Sequence, residues 1–162
     1  MSMAHGNYLD DDDLQVLASL VPSSEGSGPR PGFAYCPRAS AYFGHPRDGA
    51  KPHRYRELLQ LGVPVALGTD SVICLDTPDR ISVIDEMRLL HRRDGTDPLT
   101  LLAMATVHGA ALLGVDAGRV TLRPGARPEG VLGLRVTDDG GPPLQATLRG
   151  VEAPRWIIRR SV

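Results

Sequence analysis

The sequence predicts a mixed α/β fold in which short parallel strands alternate with helices and a small β region follows. Three observations carry that prediction. The run VPVAL at residues 63–67 is apolar throughout, as expected of a strand buried on both faces within a helix-covered parallel sheet. Strand-like and helix-like segments alternate as far as residue 117, a pattern that builds right-handed βαβ units. From Gly118 the texture changes to short β-leaning segments, GRVTLRPGARPEGVLGLRV, LQATLRGV and RWIIRR, parted by Gly, Pro and Asp. A soft boundary therefore falls near Ala117, dividing the chain into 1–117 and 118–162.

Each element has a local reason. After the short opening MSMA, Asp10 supplies an N-cap and the following aspartates an acidic first turn. The helix they start carries Leu14, Leu17, Ala18 and Val21 on one face. Four consecutive aspartates on a helix point in different directions, which favours a solvated helix start over a cation site. PSSEGSGPRPG, residues 22–32, reads as a surface loop insertion. A strand over residues 33–36 ends at Pro37, and a turn-rich stretch runs to His45. HRYRELLQLG is a helix that stops at Gly62, a left-handed position after its last turn. DRISVIDEMRLLHRR forms another helix. DPLTLLAMATVHGAALLG forms the clearest one, capped by Asp97, with Pro98 in its first turn and Gly114 at its end.

The bulk numbers bound the function. At 162 residues the chain suits one compact domain and falls short of a complete eight-stranded barrel, which needs about 250. The net charge is −1 and the basic residues are dispersed, so nucleic acid and anionic membrane are excluded as expected partners. No run of about 18 apolar residues is present. The N-terminus lacks the basic and apolar regions of a signal peptide, and the chain is in fold-like sequence within five residues of its start. Cys36 and Cys74 show no CxxC spacing, which reads as two core thiols in a reducing, cytoplasmic compartment.

Side chains at the carboxyl ends of parallel strands face a crevice rather than a packed core, and catalytic groups gather there. His5 and Asp70 both occupy such places. Taken alone, an aspartate after a strand is a common turn former, and a lone histidine is more often structural than catalytic.

The motifs AHGNYLDDDDLQVLA, CPRASAYFGH, LLQLGVPVALGTDS, EMRLL, LLAMATVHGAALLG and GRVTLRPG resemble, in that order, the C-terminal portion of the amidohydrolase superfamily. The resemblance covers about residues 4–125 and is nearest to the cytosine deaminase and chlorohydrolase-like branch. It implies a partial (β/α)8 TIM barrel, about strands six to eight with their helices, followed by a small β region from the family's composite β-sandwich. It further implies a divalent metal, Zn²⁺ or Fe²⁺, in the complete enzyme and a small-molecule, heterocyclic substrate. His5 would act beside the metal on a proton of the attacking water, and Asp70 would touch the metal and serve as base and proton donor. Such a pair suits the chemistry, because a divalent cation lowers the pKa of bound water toward about 7 and a nearby carboxylate can take its proton.

Other candidates stay open at this level. His45 follows strand seven and either contacts substrate or is a plain loop histidine. Arg38 either faces a substrate anion as a bidentate donor or ties down a loop. Ser71 either touches substrate or hydrogen-bonds its own turn. His53 and His91 sit among charged neighbours and read as solvent-facing, and His108 reads as a helix-packing residue.

The family's HxH metal pair does not occur in this sequence, and one histidine with one aspartate cannot supply the three protein ligands of a catalytic zinc. The expectation is a C-terminal fragment that binds no metal tightly alone. Its partner would be the missing N-terminal half or a second copy, since three strands leave two open edges. The alternative is a non-catalytic remnant acting as a binding or assembly module. A metal-free hydrolase site is disfavoured because GTDS is not a nucleophile elbow.

Overall fold

A computed structural model describes residues 2–21, 31–47, 49–77, 79–125, 130–136 and 140–159. The loop expected at 22–32 lies, over 22–30, outside the described residues.

Three strands form a parallel sheet: β1 (Ser2–Ala4), β2 (Gly32–Tyr35) and β3 (Val65–Leu67), in the order β1-β2-β3. Met3 sits opposite Phe33, Ala34 opposite Ala66, and Tyr35 opposite Leu67. All three residues of β3 are buried, as its unbroken apolar run requires of a strand covered on both faces.

Helix α1 (Asp11–Leu20) joins β1 to β2. Its start is a reciprocal cap, with Asp10 accepting from the Asp13 amide at 2.8 Å and Asp13 accepting from the Asp10 amide at 3.0 Å. Asp11 reaches instead to Lys51 at 2.9 Å, so the acidic run divides its work between capping and tying down the next crossover. Between β2 and β3 lie α2 (Pro37–Tyr42) and α3 (Tyr55–Gln60). The turn-rich stretch expected after Pro37 is thus a short helix, with Pro37 at a first-turn position where no amide donor is needed.

After β3 come α4 (Val83–Asp94), α5 (Pro98–Ala105) and α6 (Val107–Leu113). The single helix expected over this last stretch breaks at Thr106, whose backbone sits at φ −126°, ψ −86°. The Thr106 hydroxyl donates to the Leu102 carbonyl at 2.6 Å, a back-bond that bends helices. His108 then donates from Nδ1 to the Val65 carbonyl on edge strand β3 at 3.0 Å. That contact gives the packing role expected of His108 a specific partner.

The core is one cluster in which Leu14, Leu17, Phe33, Tyr35, Tyr55, Leu58, Val65, Met87, Leu90, Leu101 and Met104 meet. Leu148 belongs to it as well. Leu148 lies on α7 (Pro143–Arg149), within the segment LQATLRGV that reads as β-leaning by composition. It is helical because α7 packs on α4 and α5, where a helix can bury Leu148 completely. Arg88 of α4 secures this segment by donating to the carbonyls of Thr147 and Glu152 at 3.2 and 2.9 Å. Strands β4 (Gly130–Gly133) and β5 (Arg155–Arg159) pair antiparallel on either side of α7. Among the described residues no helix is long and apolar enough to cross a membrane.

Candidate active site at the strand ends

Shortly after β1 and β3 come two residues that hold an unusual backbone. His5 follows β1 at φ 64° and Asp70 lies three residues past β3 at φ 55°. Among the described residues these are the two non-glycine residues with positive φ. Histidine and aspartate visit the left-handed region more readily than most residues, yet such a conformation still costs about 1–3 kcal/mol and clusters at functional sites.

The two side chains face each other across the sheet end, His5 Nε2 lying 4.0 Å from Asp70 Oδ2. They are 44% and 33% exposed, open enough for a ligand to reach both. The separation exceeds a direct hydrogen bond and leaves both groups free for a proton-bearing molecule between or beside them.

Distant elements position the pair. The His5 amide donates to the Ala34 carbonyl of β2 at 2.9 Å. The His5 carbonyl accepts from His53 Nε2 at 2.6 Å. On the other side, the Gly68 amide donates to the Tyr35 carbonyl at 2.8 Å, which sets the turn that leads to Asp70. The Cys36 thiol takes a backbone hydrogen bond from Asp70, and burial, with the charges of Asp70 and Glu86, pushes that thiol up to about 11. Cys36 is therefore a protonated packing group beneath the site, and Cys74 is buried next to it.

A cavity of about 630 Å³ opens over the pair, walled by Asn7, Tyr8, Phe43 and His45 together with His5 and Asp70. Tyr8 stands edge-on to His45 with ring centroids 5.4 Å apart. The Tyr8 hydroxyl accepts from the Arg47 amide at 3.3 Å and meets His45 Nδ1 at 2.6 Å. Asn7 Oδ1 accepts from the Ser40 hydroxyl at 2.8 Å, fixing the orientation of its amide. Aromatic rings with a few oriented polar groups are what a flat, polar heterocycle needs.

The remaining sequence candidates sit elsewhere. Arg38 is 5% exposed and does not line the cavity. Its Nε donates to Glu86 at 2.6 Å and its Nη1 to Asp76 and Thr77 at 3.0 and 2.9 Å. The guanidinium ties the loop after Asp70 and the start of α4 to α2. Ser71 also lies outside the cavity lining. Its hydroxyl accepts from the Ile73 amide at 3.4 Å and caps the 3-10 turn Val72–Cys74.

His53 corrects the sequence reading. It is 8% exposed rather than solvent-facing, because the crossover into α3 folds its ring against Tyr35 at a centroid distance of 3.6 Å. Tyr8 and Asn7 lie within the AHGNYL motif, so proximity to His5 was the available signal for them. For His53, a histidine among basic neighbours in a loop, the sequence carries no such signal.

No group of three or more His, Cys, Asp or Glu able to hold a metal is present among the described residues. His5 and Asp70 are two donors where a catalytic zinc takes three, so on their own they do not fit one.

Fold and site define the class: an α/β chain whose carboxylate and imidazole converge past the carboxyl ends of parallel strands. The sequence model of the amidohydrolase family matches residues 1–127, and the chain belongs to that family, whose members are generally metal-dependent. Three curated relatives, each named 5-methylthioadenosine/S-adenosylhomocysteine deaminase, are similar to it over most of its length. That of Pelotomaculum thermopropionicum is 34% identical over 135 residues, covering 80% of this chain and 28% of the relative. That of Haloarcula marismortui is 31% identical over 126 residues, 73% of this chain and 25% of the relative. That of Thermococcus onnurineus is 34% identical over 124 residues, 72% and 25% respectively. The chain thus spans about a quarter of the length of the curated relatives it matches.

Proposed function

We propose that this chain forms strands six to eight of a (β/α)8 amidohydrolase barrel, with part of the family's β-sandwich after it, in a cytoplasmic enzyme that hydrolyses a C–N bond. The observation that carries the reading is the meeting of His5 and Asp70 at 4.0 Å, each in a left-handed conformation at a strand end. The names of the relatives support an aminopurine nucleoside as the substrate class, and the aromatic walls of the cavity suit such a ring.

In this reading Asp70 accepts a proton from the water that adds to the carbon bearing the amino group. His5 stabilises the charge on the oxygen of the tetrahedral centre. The C–N bond then breaks, and Asp70 returns the proton to the departing nitrogen, so that ammonia leaves and the ring keeps the oxygen. Asp70 would also be this chain's ligand to a divalent metal, zinc or iron, which when bound would acidify the attacking water. His45 contacts the substrate from the cavity wall. The strands that would complete the barrel lie outside these 162 residues.

The test joins this chain to the matching N-terminal portion of the Pelotomaculum relative and measures ammonia release from 5-methylthioadenosine. Activity that falls at least about a hundredfold in D70N and in H5Q supports the reading. Undiminished activity in D70N overturns the role of Asp70. A folded, metal-loaded chimera that releases no ammonia overturns the substrate class.

A second reading, an assembly module without catalysis, draws on β5, where Trp156, Ile157 and Ile158 are all exposed. A stable, metal-free monomer of this chain in size-exclusion chromatography counts against a role in strand-edge assembly.

A further inference from the structure

We propose that His53 is a positioning residue: its Nε2–H bond to the His5 carbonyl holds His5 in the left-handed conformation from which the imidazole faces Asp70. The inference rests on reading His5 as a site residue.

The hydrogen bonds define the state of the His53 ring. A carbonyl oxygen can only accept, so the 2.6 Å contact with His5 requires a proton on Nε2. The Tyr55 amide can only donate, so its 3.1 Å contact requires a bare Nδ1. Both nitrogens are then used, the ring is neutral, and one tautomer is selected. Tyr35 stacks on its face at 3.6 Å between centroids and 16° between planes, so the ring cannot swing without losing that contact.

The consequence falls on His5. Its amide is held by Ala34 at 2.9 Å and its carbonyl by His53, so both peptide planes flanking the residue are fixed. A non-glycine residue at φ 64° persists only where its surroundings over-determine it. His53 is the tertiary contact that does so from the carbonyl side. Tyr35 serves both halves of the site, its ring bracing His53 and its carbonyl holding the Gly68 amide ahead of Asp70. One residue at the end of the central strand thereby couples the two outer strand ends.

The test uses isotope-labelled NMR of this 162-residue chain and needs no activity. In the unaltered protein at pH 7, long-range nitrogen–proton spectra are expected to show His53 neutral with its proton on Nε2. The opposite tautomer, or a charged ring, overturns the proposal without any substitution. H53F keeps a ring against Tyr35 but has no donor, whereas H53Q can place an amide N–H toward the same carbonyl. The expected result is that residue 5 loses its positive-φ signature and its ring contacts to Asp70 in H53F, while H53Q retains both. An H53F protein with unchanged methyl signals from Leu58 and Leu90 and residue 5 still left-handed overturns it. Because the readout is conformational, failure here leaves the ammonia-release test of Asp70 untouched.

Discussion

His5 and Asp70 face each other at 4.0 Å from the two outer strands of one parallel sheet, and both hold positive φ, at 64° and 55°. Both residues line one cavity, and glycine would hold either position at lower cost.

That cost can be measured. D70G is expected to be more stable than D70A by about 1 kcal/mol, since glycine alone escapes the left-handed penalty at this position. Urea denaturation of the two variants checks it. Equal midpoints with equal slopes would show that the backbone at residue 70 is not strained.

Stability should fall on acidification through His53. Burial lowers this imidazole from 6.5 to about 4, so between these values the unfolded chain binds a proton that the folded chain does not. Stability therefore rises with pH across that window, and acidifying from pH 6.5 to 4 removes about 3 kcal/mol of it. H53Q removes this titration. The difference in unfolding free energy between H53Q and the unaltered chain should accordingly shrink by about that amount as the pH drops, a comparison that cancels the carboxylates common to both.

Gly68 has its own requirement for being small. A Cβ there would lie 2.9 Å from the Cys36 sulfur. G68A is expected to destabilise by about 1–3 kcal/mol through overpacking, and adding C36A should recover more than half of that loss. Additive costs in the double variant would place the clash elsewhere.

Arg38 and Glu86 form a pair whose side chains are 4% and 0% exposed. Burial raises the Glu86 carboxyl while Arg38 opposes the rise. E86A strands a buried guanidinium and is expected to cost about 3–5 kcal/mol, far more than E57A, which touches only the exposed end of the Arg54 pair. Thermal unfolding of the two variants side by side decides it. A small loss in E86A would mean that Asp76 and Thr77 suffice to hold Arg38.

Much of this architecture was written locally. Asp10 and Asp97 accept from amides at the starts of their helices, and Gly95 and Gly114 close theirs at φ 63° and 66°. These are interactions between near neighbours in the chain, so the residue types announce them. Other features depend on what lies across the fold. LQATLR is helical where it packs on α4 and α5 and buries Leu148 in the core. The helix over residues 98–113 broke at Thr106, where α6 turns to present His108 to β3.

The site divides the same way. His5 and Asp70 were singled out by their places after strands together with the motifs AHGNYL and GTDS that surround them, since a carboxylate or imidazole just past a buried parallel strand faces the crevice. Which groups surround them was decided by tertiary structure. Arg38 turned inward to Glu86, and His53 was drawn out of solvent onto Tyr35 to grip the His5 carbonyl. These choices balance burial against hydrogen bonding among residues some fifty positions apart, such as His53 and His5 at a separation of 48. A spacing pattern along the chain records only neighbours, so the strand ends could be read from sequence and the partners that hold them could not.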